Sequence, residues 1–174
     1  SETAALPTIA PLGQADPAAV EALLDVAFGT DRHGRTAYRI REGMGWLPSL
    51  SLAGFDGTTL VATLQCWPVA LIADDDRTLP LVLLGPVAVA PERQRDGIGR
   101  RLIETMFEAA TGIGARDFVL IGDPEYYGRF FGFTDAATGG WRVPGPVERH
   151  RLLARLATPG DWPATGTLGP RRPS

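Results

Sequence analysis

Six consecutive residues, Gln94-Arg95-Asp96-Gly97-Ile98-Gly99, carry the most informative chemistry in the chain. The two glycines around Ile98 leave the backbone without Cβ atoms where a ligand has to come close. A helix expected to begin at Ile98 opens with N–H groups that have no intrahelical partner, at the positive end of its dipole. Such a place attracts anions, phosphate above all. Arg93, Arg95, Arg100 and Arg101 crowd the same stretch, in a chain whose net charge is −3 and whose 17 basic residues are all arginine. A surface that is acidic overall but positive here suits a small polyanion. Two well-known phosphate loops do not fit: there is no Gly-Lys-Ser/Thr ending, and no G-x-G-x-x-G followed by an acidic residue at the next strand end. A tight strand-to-helix connection with no ligand is the alternative reading of the glycines taken alone.

The elements that must position this cradle can be read on both sides of it. Leu83, Leu84, Val87 and Val89 form an apolar, partly β-branched run closed by Pro91, which predicts a buried strand over Leu79 to Ala90, interrupted at Gly85-Pro86. Pro86 removes a ladder donor, so on one side this strand bulges or lacks a partner. After the cradle, Ile98, Leu102, Ile103, Met106, Phe107 and Ala109/Ala110 recur with helical period, Arg100 and Glu104 stand four apart on the other side, and Gly112 and Gly114 end the helix.

Val87-Ala88-Val89-Ala90-Pro91 followed by Gln94-x-x-Gly97-x-Gly99 resembles the acyl-CoA-binding signature of the GNAT superfamily of N-acetyltransferases. Downstream, Val119-Leu120-Ile121-Gly122-Asp123-Pro124-Glu125-Tyr126-Tyr127-Gly128-Arg129-Phe130 with Gly132-Phe133 resembles the second half of that superfamily's YhbS-like branch. The order of elements matches over roughly residues 7 to 157. The resemblance implies an α/β (α+β) fold: a central mixed, mostly antiparallel sheet with splayed parallel strands, flanked by helices. It implies acetyl-CoA as co-substrate, held by Val87, Ala88, Val89, Gln94, Arg95, Asp96, Gly97, Ile98, Gly99 and Arg100, with the pantetheine arm along the cradle strand. It also implies acetyl transfer to an amine by direct attack, with a backbone N–H around Val87 to Val89 meeting the oxyanion.

The departing thiolate needs a proton, and a tyrosine, with a reference pKa of about 10, can supply it. Related chains carry that tyrosine four residues before the glycine of Gly-Phe, but here the count from Gly132 lands on Gly128, because Phe130-Phe131 adds a residue. Asp123 and Pro124 as N-cap and first helical residue give a better-defined end. Counting from there puts Tyr127 in the catalytic position and leaves Tyr126 to pack or line the cleft. No carboxylate has a compelling place as general base. A fold of this kind that binds acyl-CoA without catalysis is the competing class.

The N-terminal third is expected to hold a strand over residues 7 to 13 and a helix capped by Asp16-Pro17, its buried face Val20, Leu23, Leu24, Ala27 and Phe28. A second helical piece is expected at about Arg35 to Glu42. In the family this helix pair walls the acceptor cleft, which makes Arg32, His33, Arg35, Tyr38 and Trp46 candidates for contact with a small-molecule or peptide amine. Ser49 to Phe55 and Leu60 to Ile72 read as a hairpin turning at Asp56-Gly57, with Pro68 marking a bulge or an edge. Asp74-Asp75-Asp76 reads as a solvated turn and not a metal site, and no metal is expected.

Strands are expected to begin at Phe133 and to run from Arg151 to Ala157, with a Pro/Gly-rich crossing at Arg142 to Gly145. Residues 159–174 read as an irregular tail anchored by Trp162, after a single domain over 1–158. One cysteine, Cys66, allows no internal disulfide and reads as core filler. The absence of a basic stripe argues against nucleic acid. No apolar run has membrane length and no leader-like segment opens the sequence, so a cytoplasmic monomer or homodimer is expected.

Overall fold

In the computed structural model, which describes residues 5–172, the chain divides into two compact units. The first comprises residues up to Arg32 with Trp46–Cys66 and Gly85–Gly114, the second His33–Gly45, Trp67–Leu84 and the chain from Ala115. Among the described residues the strands form one sheet in the order β1-β2-β3-β4-β5-β7, with β8 joined to β3 and β6 to β8. The sheet is mostly antiparallel, with helices flanking it, as the resemblance implies.

In the first unit, β1 (Thr8–Pro11) pairs antiparallel with β2 (Leu52–Asp56), which turns at Gly57 into β3 (Thr59–Ala73). Helix α1 (Pro17–Phe28) starts as its sequence requires: the Asp16 carboxylate accepts from Ala18 N–H and Pro17 occupies the first turn, where its missing donor is harmless. Val20, Leu23 and Leu24 of α1 pack with Leu12, Ala53, Val61, Ala88 and Ala90. Helix α3 (Ile98–Ile113) buries Ile98, Leu102, Ile103, Met106 and Ala110, a 3.6-residue stripe, and ends at Gly114.

The second unit holds α2 (Thr36–Ile40), the later part of β3, the earlier part of β4 (Thr78–Val89), and β5 (Phe118–Ile121). It also contains α4 (Pro124–Phe131), β6 (Gly140–Arg142), β7 (Leu152–Arg155) and β8 (Thr165–Pro170). The parallel register between β4 and β5 covers two pairs, Val82↔Phe118 and Leu83↔Val119, while β5 pairs antiparallel with β7 along its whole length.

Pro68 stands at a local break in the pairing along one side of β3, an edge of the kind its missing donor requires. It sits where β3 changes partner, after the pairing with β2 stops at Leu64 and before the pairing with β8 begins at Val69. The Pro/Gly-rich end is not an irregular tail. Thr165–Pro170 pairs with β3 and runs parallel to β6, burying Gly166 and Leu168, and Arg171 donates to the Val69 and Leu81 carbonyls. Trp162 does anchor this segment: its ring lies 5.7 Å from that of buried Trp141. Two further expectations change. Phe133 opens no strand, Thr134 making only an isolated bridge to Ala154, and Arg142 closes β6 instead of opening a crossing.

Candidate functional site

Within the first unit, the cradle is built on the far end of β4. Successive strand residues aim their N–H and C=O groups at opposite edges. Ala90 N–H bonds to Val61 of β3 at 2.7 Å, so Val89, and Val87 two residues before it, direct theirs to the other edge. Gln94 confirms the direction for Val89, whose carbonyl accepts from Gln94 Nε2 at 3.3 Å. The strand thus turns the backbone groups of Val87 and Val89 to the edge away from β3.

Past Ala90 a 3-10 turn (Pro91–Arg93) leads through Arg95, in the left-handed region at φ 76°, to Gly97 at φ 75°, the residue before α3. No side chain caps the helix. Its first intrahelical bond is Arg101 N–H to the Gly97 carbonyl at 3.1 Å, which leaves the N–H groups of Ile98, Gly99 and Arg100 in the uncapped first turn. A Cβ on Gly97 would meet nothing within 4 Å, so that glycine borders open space. A Cβ on Gly99 would lie 3.7 Å from both Val87 Cγ1 and Val89 Cγ2, an ordinary contact distance, so one added carbon would just fill the space between α3 and β4.

The four arginines separate by role. Arg93 is turned inward: it pairs with Asp56 and with Asp96 (3.0 Å) and donates to the Ala5 carbonyl (2.7 Å), tying the loop to the β2–β3 hairpin. Asp96 is therefore a loop fastener toward Arg93. Arg95 and Arg101 are exposed, and Arg100 is paired with Glu104 at 2.9 Å across one turn.

In the second unit, α4 begins at Asp123, whose carboxylate accepts from Glu125 N–H at 3.0 Å, with Pro124 next. Its last turn is loose. Gly132 N–H reaches the carbonyls of both Gly128 and Tyr127, and Phe133 N–H bonds to Tyr127 at 3.2 Å, a widening that accommodates the additional phenylalanine. Tyr127 sits among rings: Tyr126 at 5.0 Å edge-on, Phe133 at 6.0 Å and Phe131 at 6.3 Å. Burial, then the neighbouring Tyr126 and Asp123, pushes its pKa up to about 12, so the phenol holds its proton throughout the physiological range. Tyr126 also contacts Phe130 and Phe131.

The residues expected to meet the acceptor are dispersed. Within the second unit, His33 lies edge-on to Tyr38 at 5.2 Å, and Arg35 precedes α2 as its N-cap residue. Arg41, which the sequence reading missed, stacks over both Tyr38 (4.0 Å) and Trp67 (3.5 Å), and the buried Tyr38 hydroxyl has no hydrogen-bond partner. Within the first unit, buried Arg32 is bound by Glu21 and Asp25 of α1, and Trp46 packs on the α1 core. Desolvation raises the pKa of buried Cys66 far above the thiol range, which makes it inert. At the acidic turn, Asp74 pairs with Arg142 and Asp75 with Arg77.

Residues 8–134 match the family model of the acetyltransferase (GNAT) domain. The chain belongs to the GNAT acetyltransferase family. The uncharacterized N-acetyltransferase YjhQ of Escherichia coli K12 is 29% identical over 143 residues, 81% of this chain and 78% of that protein. Among solved structures, the GNAT family N-acetyltransferase YhbS from Escherichia coli, in complex with CoA, shares the fold at a TM-score of 0.75 and 23% identity, covering 97% of this chain and 92% of that one. A GNAT family acetyltransferase from Brucella melitensis, in complex with acetyl-CoA, is similar at a TM-score of 0.53 and 27% identity over 86% and 96% of the two chains. No helix among the described residues is long and apolar enough to cross a membrane.

Proposed function

We propose that this GNAT protein is an N-acetyltransferase that transfers the acetyl group of acetyl-CoA to an amine by direct attack. The observation that carries the proposal is the uncapped, glycine-bordered first turn of α3 beside the outward-facing backbone of Val87 to Val89. Phosphates belong on the helix amides and the pantetheine arm belongs on the strand. The ligands of the two structural relatives, CoA and acetyl-CoA, support this choice.

In the reaction an unprotonated amine adds to the thioester carbonyl, whose oxygen takes up charge beside Val89 N–H. Collapse of the tetrahedral intermediate breaks the C–S bond. The thiolate receives the Tyr127 phenol proton, and the ammonium proton passes to water, from which Tyr127 is restored. Gln94, Arg95, Gly97, Ile98, Gly99 and Arg100 hold the nucleotide end, Asp96 fixes their loop through Arg93, and His33, Arg35 and Tyr38 meet the acceptor.

The test is CoA thiol release measured against a panel of small amines, peptides and aminoglycosides. Release that requires an amine, with a mass gain of one acetyl group on it, is the expected result. Tight acetyl-CoA binding with no amine-dependent release would make the protein an acyl-CoA-binding module instead.

A second expectation concerns the exposed arginines. Raising salt from about 0.01 M to about 1 M shortens the screening length from about 30 Å to about 3 Å. Acetyl-CoA affinity should fall steadily across that range, and a salt-independent dissociation constant would remove Arg95, Arg100 and Arg101 from phosphate binding.

A further inference from the structure

Gly122 lies between the end of β5 and the cap of α4, and its φ is outside the left-handed region, so any residue could adopt its backbone. What it lacks is room. A Cβ there would stand 2.7 Å from Cε2 and 3.0 Å from Cδ2 of Tyr127, and 3.0 Å from Cδ1 of Leu120. Real Cβ atoms do not sustain such separations, so something must move.

Two hydrogen bonds oppose a shift of the backbone. Gly122 N–H donates to the Arg151 carbonyl at 3.0 Å, and the Gly122 carbonyl accepts from Arg151 Nε at 3.2 Å, so the residue is clamped to the turn just before β7. The phenol ring is the movable partner, and Tyr126, Phe131 and Phe133 surround its other sides.

We infer that Gly122 is a positioning residue for Tyr127: the missing side chain lets the ring lie against the β5 backbone, and that seat sets where the hydroxyl points. The inference rests on the reading of Tyr127 as general acid, and its test separates the two.

Gly122→Ala is made in the parent and in the Tyr127→Phe background. Phenylalanine keeps the ring carbons that a new Cβ would strike, so the steric penalty is the same in both, and only the tyrosine has a hydroxyl to misplace. The expected result is a loss of turnover of tenfold or more in the parent, with acetyl-CoA affinity retained, and less than twofold further loss in the Tyr127→Phe background. Ultraviolet titration of the phenol should also show Tyr127 ionising at lower pH in Gly122→Ala, as its packing loosens.

Equal losses in the two backgrounds would make Gly122 merely structural, and unchanged turnover with an unchanged titration would overturn the inference outright. If Tyr127→Phe itself retains full turnover, the general-acid reading fails, and the titration alone decides whether Gly122 seats the ring. Should Gly122→Ala not fold, the same comparison is made with Phe133→Leu added throughout, which shortens one of the rings packed around Tyr127.

Discussion

Tyr127→Phe should lower turnover by about 10²–10⁴-fold, the range of a lost general acid, and leave acetyl-CoA affinity nearly unchanged. The substitution removes one oxygen and keeps the ring that packs against Tyr126, Phe131 and Phe133, so stability is not what it tests. kcat and kcat/KM should fall together, as they do when an interaction made only in the transition state is removed.

The pKa of about 12 bears on this in two ways. It keeps the proton on the phenol at neutral pH, so Tyr127 ionisation should produce no fall in rate on the alkaline side until the pH nears that raised value. It also makes the phenol a weaker acid than tyrosine in water. That weakness is offset where the thiolate forms in equally dry surroundings, because desolvation raises the leaving thiol's pKa as well.

Tyr126→Phe is the internal comparison. Tyr126 packs on three rings, and its substitution should cost much less. Steady-state kinetics with calorimetric affinities for both variants decides the matter; the opposite ranking would give the acid role to Tyr126 and would mean that the register runs from the Gly-Phe end.

What could be read from the sequence was the short-range chemistry. Asp16-Pro17 and Asp123-Pro124 state helix starts within two residues, and the α3 stripe repeats over four turns, so these elements stand where they were expected. The turn into α3 was legible for the same reason, because Gly97 and Gly99 flank a helix start that local pattern already places.

Features decided by distant partners were not legible. Thr165–Pro170 reads as turn and tail by composition and becomes a strand because β3 beyond Pro68 has an edge for it. The same exchange of partners explains Pro68 itself, in a strand paired on either side of it. Arg93 looks like its neighbours in the sequence, yet Asp56, 37 residues away, draws it inward and apart from the exposed Arg95, Arg100 and Arg101. Arg41 was missed because its neighbour Trp67 lies on another element, and the i,i+3 spacing to Tyr38 was the only local signal. Gly122 was passed over because its reason is a ring five positions later, a contact that depends on how α4 folds back from β5.

Gly97→Val should abolish measurable acetyl-CoA binding, a rise in dissociation constant of at least about 100-fold, or about 2.7 kcal/mol. Gly97 stands at φ 75°, where a β-branched residue is disfavoured by about 1–2 kcal/mol, so part of the effect is conformational. The larger part is occupancy. Apart from the adjoining chain, nothing lies within 4 Å of a Cβ at this position, so the new methyl groups would project into open space at the α3 amides, where the phosphates are proposed to lie.

Gly99 provides the contrast. Its Cβ would make ordinary contacts with Val87 and Val89, so Gly99→Ala should bind nearly as the parent does, whereas Gly99→Val must force α3 away from β4 and should fail as Gly97→Val does. Gly97→Asn separates the two contributions at position 97, because asparagine enters the left-handed region readily while still placing a side chain over the amides. Its affinity should therefore remain far below that of the parent. Calorimetry across the four variants, with thermal melts to show that each is folded, reads the result. Binding by Gly97→Val at the parent's affinity would mean that the phosphates do not rest on the first turn of α3, and the cradle assignment would fall with it.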